Sequence, residues 1–432
     1  MKMGKLKIGW KTATALVVSN MIGTGVFTSL GYQIADLKNT YAILLLWLIG
    51  GFLALIGAFI YSELASKFKE SGGDYIYLSR TYHPVFGYLS SWVSLFVGFS
   101  APISLAALAM IKYLNVYGLN LGKEYAVGII LIVAIFQSYS LTLSSKFQNV
   151  FTVLKVLFII LLIGIGLYFV PSIENNAVLL DSSWQKEILL PAFATSLVYV
   201  TFAYTGWNSA SYIVGEIEKP KLNLPKALFI GVIFVTITYV LLNFVFLKHA
   251  SASSLSLQED VANISFANVL GSQGVKWVSL FIALQLVATI SGYLWIGSRL
   301  TQATAKENKL WNFMAKANKN NVPTRAIWVH TFISIGLIFT GDFEVIFTYT
   351  SFVLQILATL AVSTAFFIKQ DELRIIKSKF FYVLPAIFLA FSLYICYFVL
   401  MQKPKESLFG LAIIFIGLIL FYFDKRIKKS KF

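Results

Sequence analysis

Two glycine-centred turns interrupt apolar stretches that a membrane-spanning helix could cross without them. One is Ile22-Gly23-Thr24-Gly25-Val26-Phe27 within residues 12–31, the other Phe202-Ala203-Tyr204-Thr205-Gly206-Trp207-Asn208 within residues 189–214. The chemistry such turns offer is recognition by the backbone itself. Gly23 and Gly25 flank Thr24, so the chain can unwind with no side chain in the way, and the amides that open the following half-helix can hold an anion such as a carboxylate. Close helix packing is the other use of this spacing. In the second turn, residues 204–208 free carbonyls that can accept hydrogen bonds from an ammonium group. Amide donors on one side and carbonyl acceptors on the other fit a zwitterion, the backbone of an α-amino acid. Phe202, just before the turn, is placed either to close over such a ligand or to pack as most phenylalanines in spans do.

Lys155 is the other residue whose type demands an explanation. It lies within Phe151-Thr152-Val153-Leu154-Lys155-Val156-Leu157, and a charge deep in a span costs on the order of 3 kcal/mol. It can snorkel from near the helix end, stand as a permanently charged strut, or carry a proton. Glu63 and Glu216 fall at span ends, where ion pairing or gating suits them better than ligand binding. No acidic residue lies at mid-membrane to neutralise a cationic side chain, which favours neutral substrates. His83, His249 and His330 are far apart in sequence, and no span pairs a nucleophile or metal ligands at helical spacing. That argues against a membrane enzyme and calls for no cofactor and no metal.

The scaffold for these residues must be a bilayer protein. Of 432 residues, 58% are hydrophobic and 12% charged, and about 20 apolar residues in a helix cross the hydrocarbon core. Apolar runs lie near 12–31, 41–63, 85–111, 125–143, 150–170, 189–214, 226–247, 275–298, 326–341, 344–368, 380–401 and 408–423. The expectation is an all-α polytopic membrane protein with twelve transmembrane helices, the ninth and tenth separated only by Gly341-Asp342-Phe343. A net charge of +16 would suggest nucleic acid in a soluble chain. Here most basic residues crowd the loops on the side of the N-terminus, so the excess is the signature of a cytoplasmic face and both termini belong there. The partner is the lipid bilayer, not nucleic acid. The first apolar run is too long for a signal-peptide core and lacks a small-residue cleavage site. Cys396 is the single cysteine, so no intramolecular disulfide forms.

Three longer excursions remain. Residues 64–84 are polar and rich in turn formers; 249–274 carry a stretch able to form a short helix over the mouth. Residues 305–320 place Leu310, Trp311, Phe313, Met314 and Ala317 on one helical face against lysines, the pattern of an interfacial helix. Reading the first ten spans as five plus five aligns the break in span one with that in span six, the form expected of inverted repeats with discontinuous helices. The core is then 1–370, with repeats of about 12–170 and 189–369, and 371–432 adds two spans and a basic tail.

The residues around the breaks also carry a resemblance. Residues 202–208, then Glu216, Lys219-Pro220 and Asn223-Leu224-Pro225-Lys226-Ala227, resemble the sixth span and following loop of amino acid permeases of the amino acid–polyamine–organocation (APC) superfamily, above all the L-type transporters and their bacterial relatives. Ile22-Gly23-Thr24-Gly25-Val26-Phe27 resembles that family's first-span signature. Tyr61-Ser62-Glu63-Leu64, the run from Gly72 to Leu78, and Gly297-Ser298-Arg299-Leu300 resemble further motifs. The resemblance implies a leucine-transporter-type core and a small-molecule amino acid substrate moved by alternating access, spans one, two, six and seven rocking against three, four, eight and nine. It implies that Thr24 and Gly25 hold the substrate carboxylate, with Ile22, Gly23, Tyr204 and Gly206 also among the substrate-binding residues. Met21, Phe202, Ala203 and Thr205 then face the amino group, with Phe202 as gate. Thr205 stands where L-type relatives usually have glycine. The lysine matching Lys155 takes the place of a sodium ion, with Thr289 and Ser291 as hydroxyl neighbours, which implies sodium-independent exchange or proton symport. L-type transporters of animals bind a glycoprotein through a cysteine between spans three and four. Residues 112–124 contain none, so no disulfide-linked heavy chain is expected. The alternatives are a cationic amino acid or polyamine carrier and, in another class, an amino-acid-binding membrane sensor or channel.

Overall fold

A computed structural model describes residues 7–139, 141–170, 183–373, 375 and 377–429; the end of the basic tail, 430–432, lies outside them. Among the described residues the chain is helical, with one isolated bridge between Ile8 and Ile217. Helix is what a lipid-spanning apolar run must form, because it satisfies every backbone group within the segment.

The first broken pair is α1 (Trp10–Met21) and α2 (Gly25–Asp36), bent by 42°. It is followed by α3 (Thr40–Phe68) and the short α4 (Asp74–Thr81) in the first polar loop. Next come α5 (Pro84–Val93) and α6 (Ala101–Leu114), joined without a gap by a π-helical segment, Ser94–Ser100. Pro102 explains that widening: it lacks an N–H and its ring crowds the preceding turn. The first half ends with α7 (Lys123–Tyr139) and α8 (Leu141–Tyr168).

The second half opens with the short α9 (Trp184–Glu187) and α10 (Pro191–Ala203), then a turn, then a 3-10 helix, Ser209–Glu216. The stretch after the second break thus continues as the tighter helix rather than as α. α11 (Pro220–His249) follows, beginning six residues before the apolar run near 226 because Pro220 suits a first helical turn. Within 249–274, α12 (Ala252–Leu255) and the first turns of α13 (Val261–Ala305) are helical; α13 kinks at Gly271, where φ is 66°. Then come α14 (Thr324–Ile338), α15 (Phe343–Ser363), α16 (Val383–Gln402) and α17 (Pro404–Lys429).

Eight helices among the described residues are long and apolar enough to cross a membrane, or nine when the bent pair counts as one span; α10 and α14 are shorter apolar helices. α3 and α1 both pack along α11, and α6 packs along α13. The interfacial helix expected in 305–320 does not form. Asn312–Ala315 is a 3-10 turn, Trp311 and Met314 are buried, and Trp311 packs on Tyr88 and Trp92. Trp311 and Met314 face protein, where α5 offers an aromatic wall, while Phe313 stays 52% exposed.

Candidate functional site

The first break is confined to residues 22–24. Ile22 is extended (φ −73°, ψ 99°), and Thr24 is already helical (φ −63°, ψ −38°). Neither Gly23 nor Gly25 adopts a left-handed φ. What makes glycine necessary at 25 is proximity: a Cβ there would sit 2.6 Å from Ala203 Cα and 2.7 Å from Ala203 Cβ. At Gly23 the nearest atom to a built Cβ is Thr289 Cγ2 at 3.8 Å, an ordinary contact. Gly206, in the second break, has φ 95°, and a Cβ on it would lie 2.8 Å from the Asn20 carbonyl group at the end of α1. The two breaks therefore rest directly on each other, through Gly25 against Ala203 and Gly206 against Asn20.

Freed backbone groups divide by sign. Among the described residues no acceptor takes the amides of Gly23, Thr24 or Gly25. They sit at the N-terminal end of α2, where unpaired N–H groups and the helix dipole favour an anion. The freed carbonyls are already in use. Tyr239, on α11, lies with its hydroxyl 2.6 Å from the Met21 carbonyl and 3.2 Å from that of Ala203, so a single proton serves both breaks. The Phe202 carbonyl accepts from the Thr205 amide at 2.9 Å and from its hydroxyl at 2.7 Å. Since a carbonyl oxygen has two lone pairs, Met21 and Ala203 each keep one for a further donor.

Lys155 is buried, at 5% exposure, which removes snorkelling as its explanation. Its Nζ donates to the Ile22 carbonyl at 2.8 Å and to Thr289 Oγ1 at 3.2 Å. Thr289 in turn donates to the Gln285 carbonyl at 3.0 Å. The ammonium thus lies at the C-terminal end of α1, where carbonyls and the dipole favour a cation. One turn earlier on α8, Thr152 pairs with Ser19 of α1 at 2.8 Å. Ser291 is not part of this set: its hydroxyl and carbonyl face the side-chain amide of Gln137 from α7. Tyr204 also turns away from the breaks, donating to the Trp47 carbonyl of α3 at 2.8 Å.

Aromatic rings shut the site on two sides. Phe202 meets Phe347 edge-on at 4.8 Å, and Phe347 stacks on Tyr199 at 5.0 Å; Trp207, beyond the second break, packs edge-on against Tyr61 at 4.7 Å. A cavity of about 40 Å³ adjoins Phe202 and Thr205, with Ser351 and Gln355 of α15 on its far wall, and no residue of the first break lines it. That volume suits a water or two, not an amino acid.

Below the second break, Asp74 of α4 accepts hydrogen bonds from Tyr61 of α3 and, at 2.8 Å, from Tyr212 of the 3-10 helix. Burial pushes its carboxyl above the usual range, and the two phenols hold it back. Sequence reasoning missed Tyr239, Gln137 and this clamp. None carries a spacing signal, since each finds its partner only through the tertiary fold.

A family model described as amino acid permease matches residues 8–423. The b(0,+)-type amino acid transporter 1 of Mus musculus is 27% identical over 430 residues, covering 96% of this chain and 87% of that protein. Large neutral amino acids transporter small subunit 2 of Homo sapiens is 26% identical over 439 residues, covering 97% and 80%. Asc-type amino acid transporter 1 of Mus musculus is 24% identical over 436 residues, covering 97% and 81%. With two broken helices meeting at free amides and a buried lysine, and with a match that runs almost from end to end, this multi-pass membrane protein belongs to the amino acid permease family, a family of transporters rather than enzymes.

Proposed function

We propose that the chain is a sodium-independent secondary transporter of amino acids, neutral ones in preference, working by alternating access as an exchanger or a proton symporter. One observation carries this reading: the two breaks touch, with uncommitted amides on one side, carbonyls with spare lone pairs on the other, and an ammonium group fixed between α1 and α13. In it the amides of Gly23, Thr24 and Gly25 bind the carboxylate. Met21 and Ala203 accept from the amino group, Ile22 is committed to Lys155, and Phe202 is the gate. Thr205 and Gly206 shape the side-chain space, and Tyr204 holds the second break to α3. Lys155 with Thr289 occupies the place of a cation, and Ser291 supports it indirectly by bracing α13 against α7 through Gln137.

The topology that goes with this is twelve spans in a plasma membrane with both termini cytoplasmic, a five-plus-five inverted-repeat core over 1–370, and two added spans in 371–432. Neutral substrates are supported by the uncharged polar groups beside the gate, Thr205, Ser351 and Gln355, and by the likeness to a protein named as a large neutral amino acids transporter. That relative's name also makes it a small subunit of a larger assembly. For this chain, any such partnership would lack a disulfide in residues 112–124.

A thermal-shift screen of the purified protein against the twenty amino acids and common polyamines tests the reading. A neutral amino acid at a hundred times its dissociation constant should stabilise the fold by about 2.7 kcal/mol. Stabilisation by basic amino acids or polyamines alone would favour the cationic alternative, and no stabilisation by any of them would contradict a substrate site at the breaks.

A further inference from the structure

A cavity of about 680 Å³ opens away from the residues of the two breaks. It opens on the face that carries the N-terminal segment, and five lysines ring it: Lys7, Lys69, Lys219, Lys221 and Lys377. All five are exposed, and among the described residues none of them forms an ion pair with a carboxylate. Its floor is apolar, built from Ala65, Val214, Ile217 and Leu224, which are buried. Like charges brought together around one cleft repel, and the protein meets that cost with no acidic residue in the lining.

Two of these lysines also stand on backbone that disfavours them. Lys69, ending α3, has φ 55°, and Lys219, preceding α11, has φ 44°. The left-handed region favours glycine or asparagine, so a lysine there is retained against local preference. The first turn of the thirty-residue α11, residues 220–222, forms part of the wall and adds the positive end of a helix dipole.

We propose that this cleft binds a phosphate-bearing anion, presented by an anionic phospholipid headgroup of the adjoining leaflet. The apolar floor then receives the glycerol and upper acyl portion, and Leu222, 71% exposed at the rim, lies against the chain. The walls come from the segment before α1, from α3, from the 3-10 helix after the second break, from α11 and from the loop after α15. A bound headgroup therefore cross-links the elements on which both breaks are mounted and holds this face closed. The cleft is separate from the amino acid site, and its test does not require that site to be correctly assigned.

The experiment uses full-length protein reconstituted in phosphatidylcholine nanodiscs, with or without phosphatidylglycerol, and in phosphatidylcholine with added inorganic phosphate. Thermal unfolding is read for the wild type and for Lys69→Gln/Lys219→Gln/Lys221→Gln. Phosphatidylglycerol should raise the wild-type midpoint, and the triple variant should need far more of it for the same shift, about fivefold more per lysine removed. A shift with phosphatidylglycerol but not with free phosphate identifies the lipid as the source; an equal shift with free phosphate supports the anion site but assigns it to a soluble ligand. Lys221→Gln and Lys377→Gln singly, each away from the left-handed positions, give the same reading should the triple variant fail to fold, with monodispersity on size exclusion as the folding criterion. Equal responses of wild type and variants, or no response to either anion, overturn the proposal.

Discussion

Gly23 and Gly25 stand two positions apart and answer to different constraints. Gly25 faces Ala203 at a distance that leaves no room for a Cβ, whereas Gly23 has ordinary space around it. Gly25→Ala should cost about 1–3 kcal/mol by overpacking and cut uptake more than about tenfold by the same displacement of the breaks, while Gly23→Ala keeps most of it. Side-by-side uptake and unfolding midpoints check this, and equal effects would mean the breaks do not bear on each other. Thr205→Gly removes a hydroxyl bond to the Phe202 carbonyl, worth about 1 kcal/mol, and opens the wall beside the gate. Larger side chains should then be accepted, measured as competition against labelled substrate; an unchanged profile would place Thr205 outside the side-chain space. Lys155 was conspicuous in the sequence because a charge inside an apolar run is costly and therefore informative. Tyr239 was not, for its partners Met21 and Ala203 lie 218 and 36 positions away and become acceptors only because both helices break.

At the scale of elements, the Asp74 clamp joins the end of α3, the first loop and the 3-10 helix that follows the second break. Its carboxyl titrates above the ordinary carboxylate value of 3.8 because it is buried. The protonated form is thus favoured in the folded protein, so the stability it contributes is full below pH 3.8 and is lost as pH rises through the raised value. Asp74→Asn should remove that component. The difference in unfolding midpoint between variant and wild type should change between pH 4 and pH 8, and a constant difference would mean the carboxyl keeps its charge throughout. The breaks and the helical stretch before Gly271 were legible because glycine turns in apolar runs and polar loops of helical pattern leave local marks. The stretch near Trp311 was misread for a related reason: a 3.6-residue apolar period says which face is buried, not whether lipid or the aromatic wall of α5 covers it.

For the whole molecule, class and general architecture were plain from composition and run lengths. The number of spans depends on short helices such as α10 and α14, whose length follows from a break in one case and a tight turn to α15 in the other. What composition could not supply is the division of labour at the centre, with a cation held at the end of α1 and vacant amides at the start of α2. That division is the core of the proposed mechanism. A protein with its own ammonium between α1 and α13 needs no sodium ion there, and in a carrier whose one central site opens alternately to each face, unlabelled substrate moving out drives labelled substrate in. The direct measurement is counterflow in proteoliposomes preloaded with an unlabelled neutral amino acid, with choline replacing sodium on both sides. Transient accumulation of labelled amino acid, undiminished without sodium and lost in Lys155→Met, is the result this mechanism predicts. A strict sodium requirement, or equilibration without accumulation, would contradict it.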